Sequence, residues 1–398
     1  MRLIAYYKPK DRGLNSFRIL YTISWHAFLL FFEMNDWEEI RSNYPLADAG
    51  GFFNTASFGA LSHQTVSSQK RMLEDILTSG IKNYDTWMSN YNSLKESLSS
   101  YLNAPKDNLI FFSDVSDGLN KISDMLPADI EVVLVKEDFP SVSLPWITRN
   151  FKIDWIEYDE FTKDYLCEIE KRLIEGNKIL CLSWVFYNHG FTIDTVKVGA
   201  LCEKYDSYFL LDATQGLGAF KIDVQASKIH FMVSSCFKWF MAGYGTSIGY
   251  ISKDIIDQFD IKQSGWNMLH DFTSDVEDES NYKTGSIRFE SGHVKLQNIN
   301  MLYNSFSQMT VIGLYEISNR TSYLVNLLSS KLSENGFERM IDQHPTSGIL
   351  SIRSNESIIN KIKARKIACS ARKDYVRFAV YFYNNEQDID DLIVCLRH

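Results

Sequence analysis

Between about residues 108 and 252 the chain repeats one pattern: a short, almost purely apolar run, then a longer mixed stretch. The runs cover residues 108–112, 131–135, 152–156, 178–185, 208–214, 231–236 and 247–252. They are rich in Val, Ile, Leu and Phe and do not alternate strictly with polar residues. Each reads as a strand buried on both faces. The spacings between them fit crossover helices. The pattern predicts an α/β domain with a mostly parallel seven-stranded sheet and helices on both faces. Upstream, Met72, Leu73, Ile76 and Leu77 have helical spacing, and residues 295–335 read as helical. Residues 270–286 are polar and acidic and read as a mobile loop. The tail reads as strands over 348–353, 367–372 and 375–382, then a helix capped by Asn384 or Asn385. Glu386 and Asp388 make that helix's acidic first turn, and Ile389, Leu392, Ile393 and Leu396 its apolar stripe. The expected organisation is an N-terminal segment (34–60), a large domain (61–295) and a small C-terminal α+β domain (296–398).

Residues 1–33 do not continue the pattern. Residues 1–18 are basic and polar, and 19–32 are apolar and aromatic, interrupted by Ser24 and His26. That run is too short for an ordinary membrane span, and without a small-residue cleavage site it fits a signal peptide poorly. A poorly integrated extension is expected, with a membrane-surface or partner-binding segment as the alternative. A helix start follows at Asn35-Asp36-Trp37. The 398 residues are 45% hydrophobic and 23% charged, enough for a sizeable core. The net charge of −9, with no basic block, argues against a nucleic-acid partner. Six cysteines without C-x-x-C spacing read as reduced thiols of a cytoplasmic protein. The eight histidines make no metal-ligand pattern.

Two strand ends carry the candidate chemistry. Asp212 closes the run Tyr208-Phe209-Leu210-Leu211-Asp212, and Lys238 follows the run ending at Cys236. In open α/β sheets ligands sit at the carboxyl ends of strands. A lysine and an acid placed so suit pyridoxal 5′-phosphate, with Lys238 as the Schiff-base amine and Asp212 protonating the ring nitrogen. Flanking aromatics, Phe237, Trp239 and Phe240, set Lys238 apart from a surface lysine. Gln215 could reach the ring hydroxyl. Ser235 and Ser116 could hold the phosphate, Ser116 from a helix N-terminus. Phe139 could stack on the ring, and Arg377 could fix a carboxylate bidentately. Each has a plainer alternative: a helix-capping acid, a loop glutamine, an N-capping serine, a core phenylalanine, an edge-strand arginine.

From about residue 50 onward the sequence resembles the class V aminotransferases, fold-type-I enzymes that include cysteine desulfurases, isopenicillin-N-epimerase-like proteins and kynureninase. The segments that carry the resemblance are Phe53-Asn54-Thr55-Ala56-Ser57-Phe58-Gly59, Asp138-Phe139-Pro140-Ser141, Asp212-Ala213-Thr214-Gln215, Ser235 through Trp239, Gly265-Trp266 and Arg288-Phe289-Glu290-Ser291-Gly292. Arg372 and Arg377 complete the set. The resemblance implies a fold-type-I site shared across a homodimer and a small amino-acid substrate. It also implies reaction through an internal aldimine and a quinonoid. It adds Val115 and His293 as cofactor contacts, His293 reaching the partner's phosphate. It adds Ala56 and Trp266 as substrate contacts. Phe237 replaces the desulfurases' histidine, and no cysteine matches their loop nucleophile. Cysteine desulfuration or another β/γ-lyase reaction is the alternative, and a non-catalytic relative is the second.

Overall fold

The computed structural model describes residues 35–344 and 346–397, so the expectation for residues 1–33 lies outside the described residues. The seven apolar runs form one sheet: β1 (Leu109–Phe112), β2 (Val132–Val135), β3 (Ile153–Ile156), β4 (Ile179–Ser183), β5 (Tyr208–Asp212), β6 (Phe231–Ser235) and β7 (Ser247–Ile251). Their order is β1-β7-β6-β5-β4-β2-β3. From β6 to β3 every pair is parallel, and β7 runs antiparallel to both neighbours. Successive strand residues face opposite sides. Val133, Leu180, Phe209 and Met232 enter one core cluster, while Val132, Ile179, Leu210 and Phe231 enter another. With both faces covered, neither tolerates polar residues, which accounts for the unbroken apolar runs. Each fully buried side chain of this kind contributes about 1.5–3 kcal/mol.

The run 178–185 leaves the sheet at Ser183, and the run 208–214 at Asp212. Ser183 and Asp212 are register partners. The carboxyl edge of the sheet is therefore polar while its body is apolar.

The helix His63–Ser79 is capped by Ser62, whose hydroxyl accepts from the Thr65 N–H. Its expected apolar stripe is half right. Met72 is buried, but Leu73 and Leu77 face solvent. Its packing against the helix Leu296–Ile312 uses polar pairs instead: Gln308 donates to Thr65 at 2.9 Å and Asn300 to Gln69 at 3.0 Å. Residues 270–286 are irregular and largely exposed, with one short turn of helix at Glu279–Asn281.

A second, antiparallel sheet has the order β8-β10-β9, with β8 at Ile349–Arg353, β9 at Ser370–Ala371 and β10 at Tyr375–Ala379. The strand expected over 367–372 shrinks to Ser370–Ala371 because the N-terminal segment takes the adjoining backbone. Phe53 N–H donates to Ala368 O and Ala379 N–H to Phe53 O, both at 2.8 Å. The last helix, Glu386–Arg397, opens on a reciprocal capping box. Asp388 N–H donates to Asn385 Oδ1 at 2.9 Å, and Asn385 N–H to Asp388 Oδ2 at 3.2 Å. Asp388 also receives Arg41 bidentately, at 2.6 and 2.9 Å, and both side chains are buried. The first described helix, Trp37–Ser42, is thus tied to the last. No helix among the described residues is long and apolar enough to cross a membrane.

Candidate active site

A cavity of about 130 Å³ opens at the carboxyl ends of β4, β5 and β6 and reaches the N-terminus of the helix Val115–Met125. Lys238 lies on its wall, three residues past β6. Its Nζ is 5.7 Å from the ring centre of Phe139 and 5.4 Å from that of Phe237. Burial among these rings lowers the Lys238 pKa to about 8; Asp212 opposes the shift and Arg377 adds to it. The backbone is fixed by close approach of the N-terminal turn. Gly59 N–H donates to Phe237 O at 2.9 Å. A Cβ on Gly59 would lie 1.9 Å from Lys238 O, so only glycine fits there.

Asp212 ends β5 and accepts from Thr214 N–H at 2.9 Å. Burial raises its pKa, with Thr214 and Lys238 pulling the other way. Ser235, the last residue of β6, is buried, and its Oγ has no partner. Val115 and Ser116 form the first turn of the helix Val115–Met125, capped by Asp114, which accepts from Asp117 N–H at 2.8 Å. Ser116 Oγ is 2.8 Å from Ser141 Oγ. A helix N-terminus with free amides and an orphaned hydroxyl suits an anion. A buried acid suits a protonated ring nitrogen. These residues fit pyridoxal 5′-phosphate: the orphaned Ser235 hydroxyl lacks a partner that a phosphate would supply.

The remaining expected residues are placed unevenly. Phe139 borders the cavity, 38% exposed, with its ring edge-on to Tyr187 at 5.4 Å. Gln215 lines the cavity, but its amide is engaged: Nε2 donates to Ala56 O and Oε1 accepts from Trp239, each at 3.0 Å. Ala56 acts through that carbonyl; its side chain is buried away from the cavity lining. Arg377 donates to Tyr187 O at 2.6 Å and to Ser57 Oγ at 2.7 Å, and its Nε–H has no partner. Burial lowers the Arg377 pKa to about 10, which leaves it charged near neutrality and short of an anion.

Trp266 and His293 do not reach this cavity in their own chain. Their rings pack on each other at 4.8 Å, and His293 lines a separate cleft with Lys121 and Glu290. Sequence reasoning gave no role to Asp138. This carboxylate is buried and accepts from Phe139 N–H and Ser183 Oγ, both at 2.6 Å, and from Ser183 N–H at 2.9 Å. It clamps the Phe139 turn to the strand beside Asp212. Burial pushes its pKa up to about 7, with a contribution from Asp212. The available signal was an acid directly before a strand-exit aromatic.

Comparison with known proteins shows the family. Residues 76–392 match the family model for class-V aminotransferases. The uncharacterized aminotransferase YcbU of Bacillus subtilis is 20% identical over 88% of this chain and 95% of its own length. A probable cysteine desulfurase of Borreliella burgdorferi is 25% identical over 76% of this chain and 79% of its own. Among solved structures, a C-DES mutant with glycine covalently linked to the PLP cofactor superposes with a TM-score of 0.81 at 17% identity. It covers 89% of this chain and 98% of that one. The family uses pyridoxal phosphate. The chain belongs to the class-V aminotransferase family of enzymes.

Proposed function

We propose that this enzyme moves the α-proton and amino group of an amino acid, with Lys238 as the proton carrier. The observation that carries the reading is a buried amine of lowered basicity, set between two aromatic rings with Asp212 as its counter-charge. When bound, the cofactor supplies an electron-withdrawing ring that makes the substrate's α-hydrogen acidic. Lys238 Nζ holds the cofactor and then accepts and returns that proton; a pKa near 8 makes the free amine accessible under mild conditions. Asp212 stabilises a proton on the ring nitrogen. The free Nε–H of Arg377 orients the substrate carboxylate. Phe139, on the cavity wall, would stack on the cofactor ring. The separate placement of Trp266 and His293 supports a homodimer in which each serves the partner's site. Six unpaired cysteines support a cytoplasmic location.

The second reading, cysteine desulfuration, draws on the names of several relatives. Cys369 does not favour it. This thiol is half-buried against the core beside the small sheet, outside the cavity lining, and burial pushes its pKa up to about 12. The deciding experiment incubates holoenzyme with amino acids and an acceptor keto acid, and with cysteine plus dithiothreitol, which reduces any released sulfur to sulfide. Keto-acid formation matched by transfer of the amino group is expected. Sulfide and alanine from cysteine, with no transfer, would overturn the proposal.

A further inference from the structure

The geometry points to a substrate with a bulky aromatic side chain, held against a wall made by Phe58, Phe237 and Tyr244. This deepens the proposed function and rests on it. The three rings form one cluster: Phe237 to Tyr244 at 4.7 Å, Phe58 to Tyr244 at 5.1 Å and Phe58 to Phe237 at 6.3 Å. These separations lie in the range of attractive aromatic pairs.

Of the three rings Phe237 lines the cavity, and Phe58 and Tyr244 pack against that ring. Phe237 immediately precedes Lys238 and lines the cavity. Phe58 immediately follows Ser57, which holds the Arg377 guanidinium at 2.7 Å. The substrate's amine has to reach the site of Lys238, and its carboxylate has to reach Arg377. Its α-carbon lies between, beside a surface anchored at one end to the lysine and at the other to the arginine. The side chain projecting from that carbon has the aromatic cluster as a neighbour. The charged groups of the cavity already have other work: Asp212 and Lys238 serve the cofactor, and Asp114 caps a helix. A charged or strongly polar side chain would meet no complement on the wall and would lose its hydration there. Tyr244 is 67% exposed, so an incoming ring would cover apolar surface now open to water.

The test measures binding of unreactive carboxylates to the holoenzyme by titration calorimetry, with 3-phenylpropionate, propionate and succinate as probes. 3-Phenylpropionate is expected to bind at least about tenfold more tightly than propionate, and succinate no better than propionate. Phe237→Ala should remove most of that preference. Tyr244→Ala, at an exposed position whose loss leaves the core intact, should reduce it. Equal binding of the three probes, preference for succinate, or a preference untouched by both substitutions would overturn the aromatic wall. The cofactor's visible absorbance is read in the same samples. Its absence from wild-type protein would overturn the underlying function, whereas a failed ranking with absorbance intact overturns the wall alone.

Discussion

Asp388 and Asp212 are both buried acids at the ends of secondary-structure elements, and they are held in opposite ways. Asp388 has a bidentate arginine, a backbone N–H from Asn385 and the Asn384 amide. Asp212 has a single backbone N–H, from Thr214, and burial raises its pKa. The first acid is saturated by protein and stabilises the fold. The second is left short of donors and available to a ligand. The same contrast separates the buried hydroxyls of Thr65, which has partners, and Ser235, which has none.

Substitutions can break this contrast. Lys238→Ala should have the largest effect, abolishing both turnover and the visible absorbance of bound cofactor while leaving the folded protein intact. A Lys238→Ala protein that kept the absorbance would sink the assignment. Asp212→Asn should lower turnover by about 100-fold or more and leave the melting temperature nearly unchanged. Arg41→Ala should do the reverse. It strands the Asp388 charge and costs about 3–5 kcal/mol in denaturant unfolding, with absorbance retained in the folded fraction. If both variants lost stability equally, the division into saturated and waiting acids would fail. Ser235→Ala should weaken cofactor affinity about tenfold, read by titrating apoprotein, with no loss of stability because the hydroxyl has no protein partner. The smallest effect concerns pH. Below about pH 8 Lys238 is an ammonium and cannot attack; above it the amine is free. The rate at which apoprotein takes up cofactor should therefore rise through about pH 8. Arg377→Gln removes a cation that disfavours the ammonium, so the midpoint should move to higher pH; a midpoint that stayed or fell would contradict it.

The sheet was legible in the sequence because strands buried on both faces leave continuous apolar runs, and Lys238, Asp212 and Ser235 follow from where those runs stop. What local pattern could not carry was contact between distant segments. Leu73 and Leu77 obey helical spacing yet face solvent, since the neighbouring helix is met through Gln308 and Asn300. The Asp138 clamp needs Ser183 from another strand. Arg41 finds Asp388 across 347 residues. The aromatic wall needs Phe58 brought to Phe237 by the fit of Gly59 against the backbone at Lys238. Such pairings leave no periodic signature in either partner.

The hydrogen bond from Arg377 to Ser57 spans 320 positions, and Phe53 sits between Ala368 and Ala379 in the small sheet. On the ribosome, the N-terminal segment around Phe53 therefore emerges long before its neighbours exist. The large sheet can assemble during synthesis, but the Ser57–Arg377 contact cannot form until β10 has been made. Chains ending before β10 would keep Lys238 and the large sheet yet lack Arg377. Synthesis of β10 then sets when Ser57 first meets Arg377.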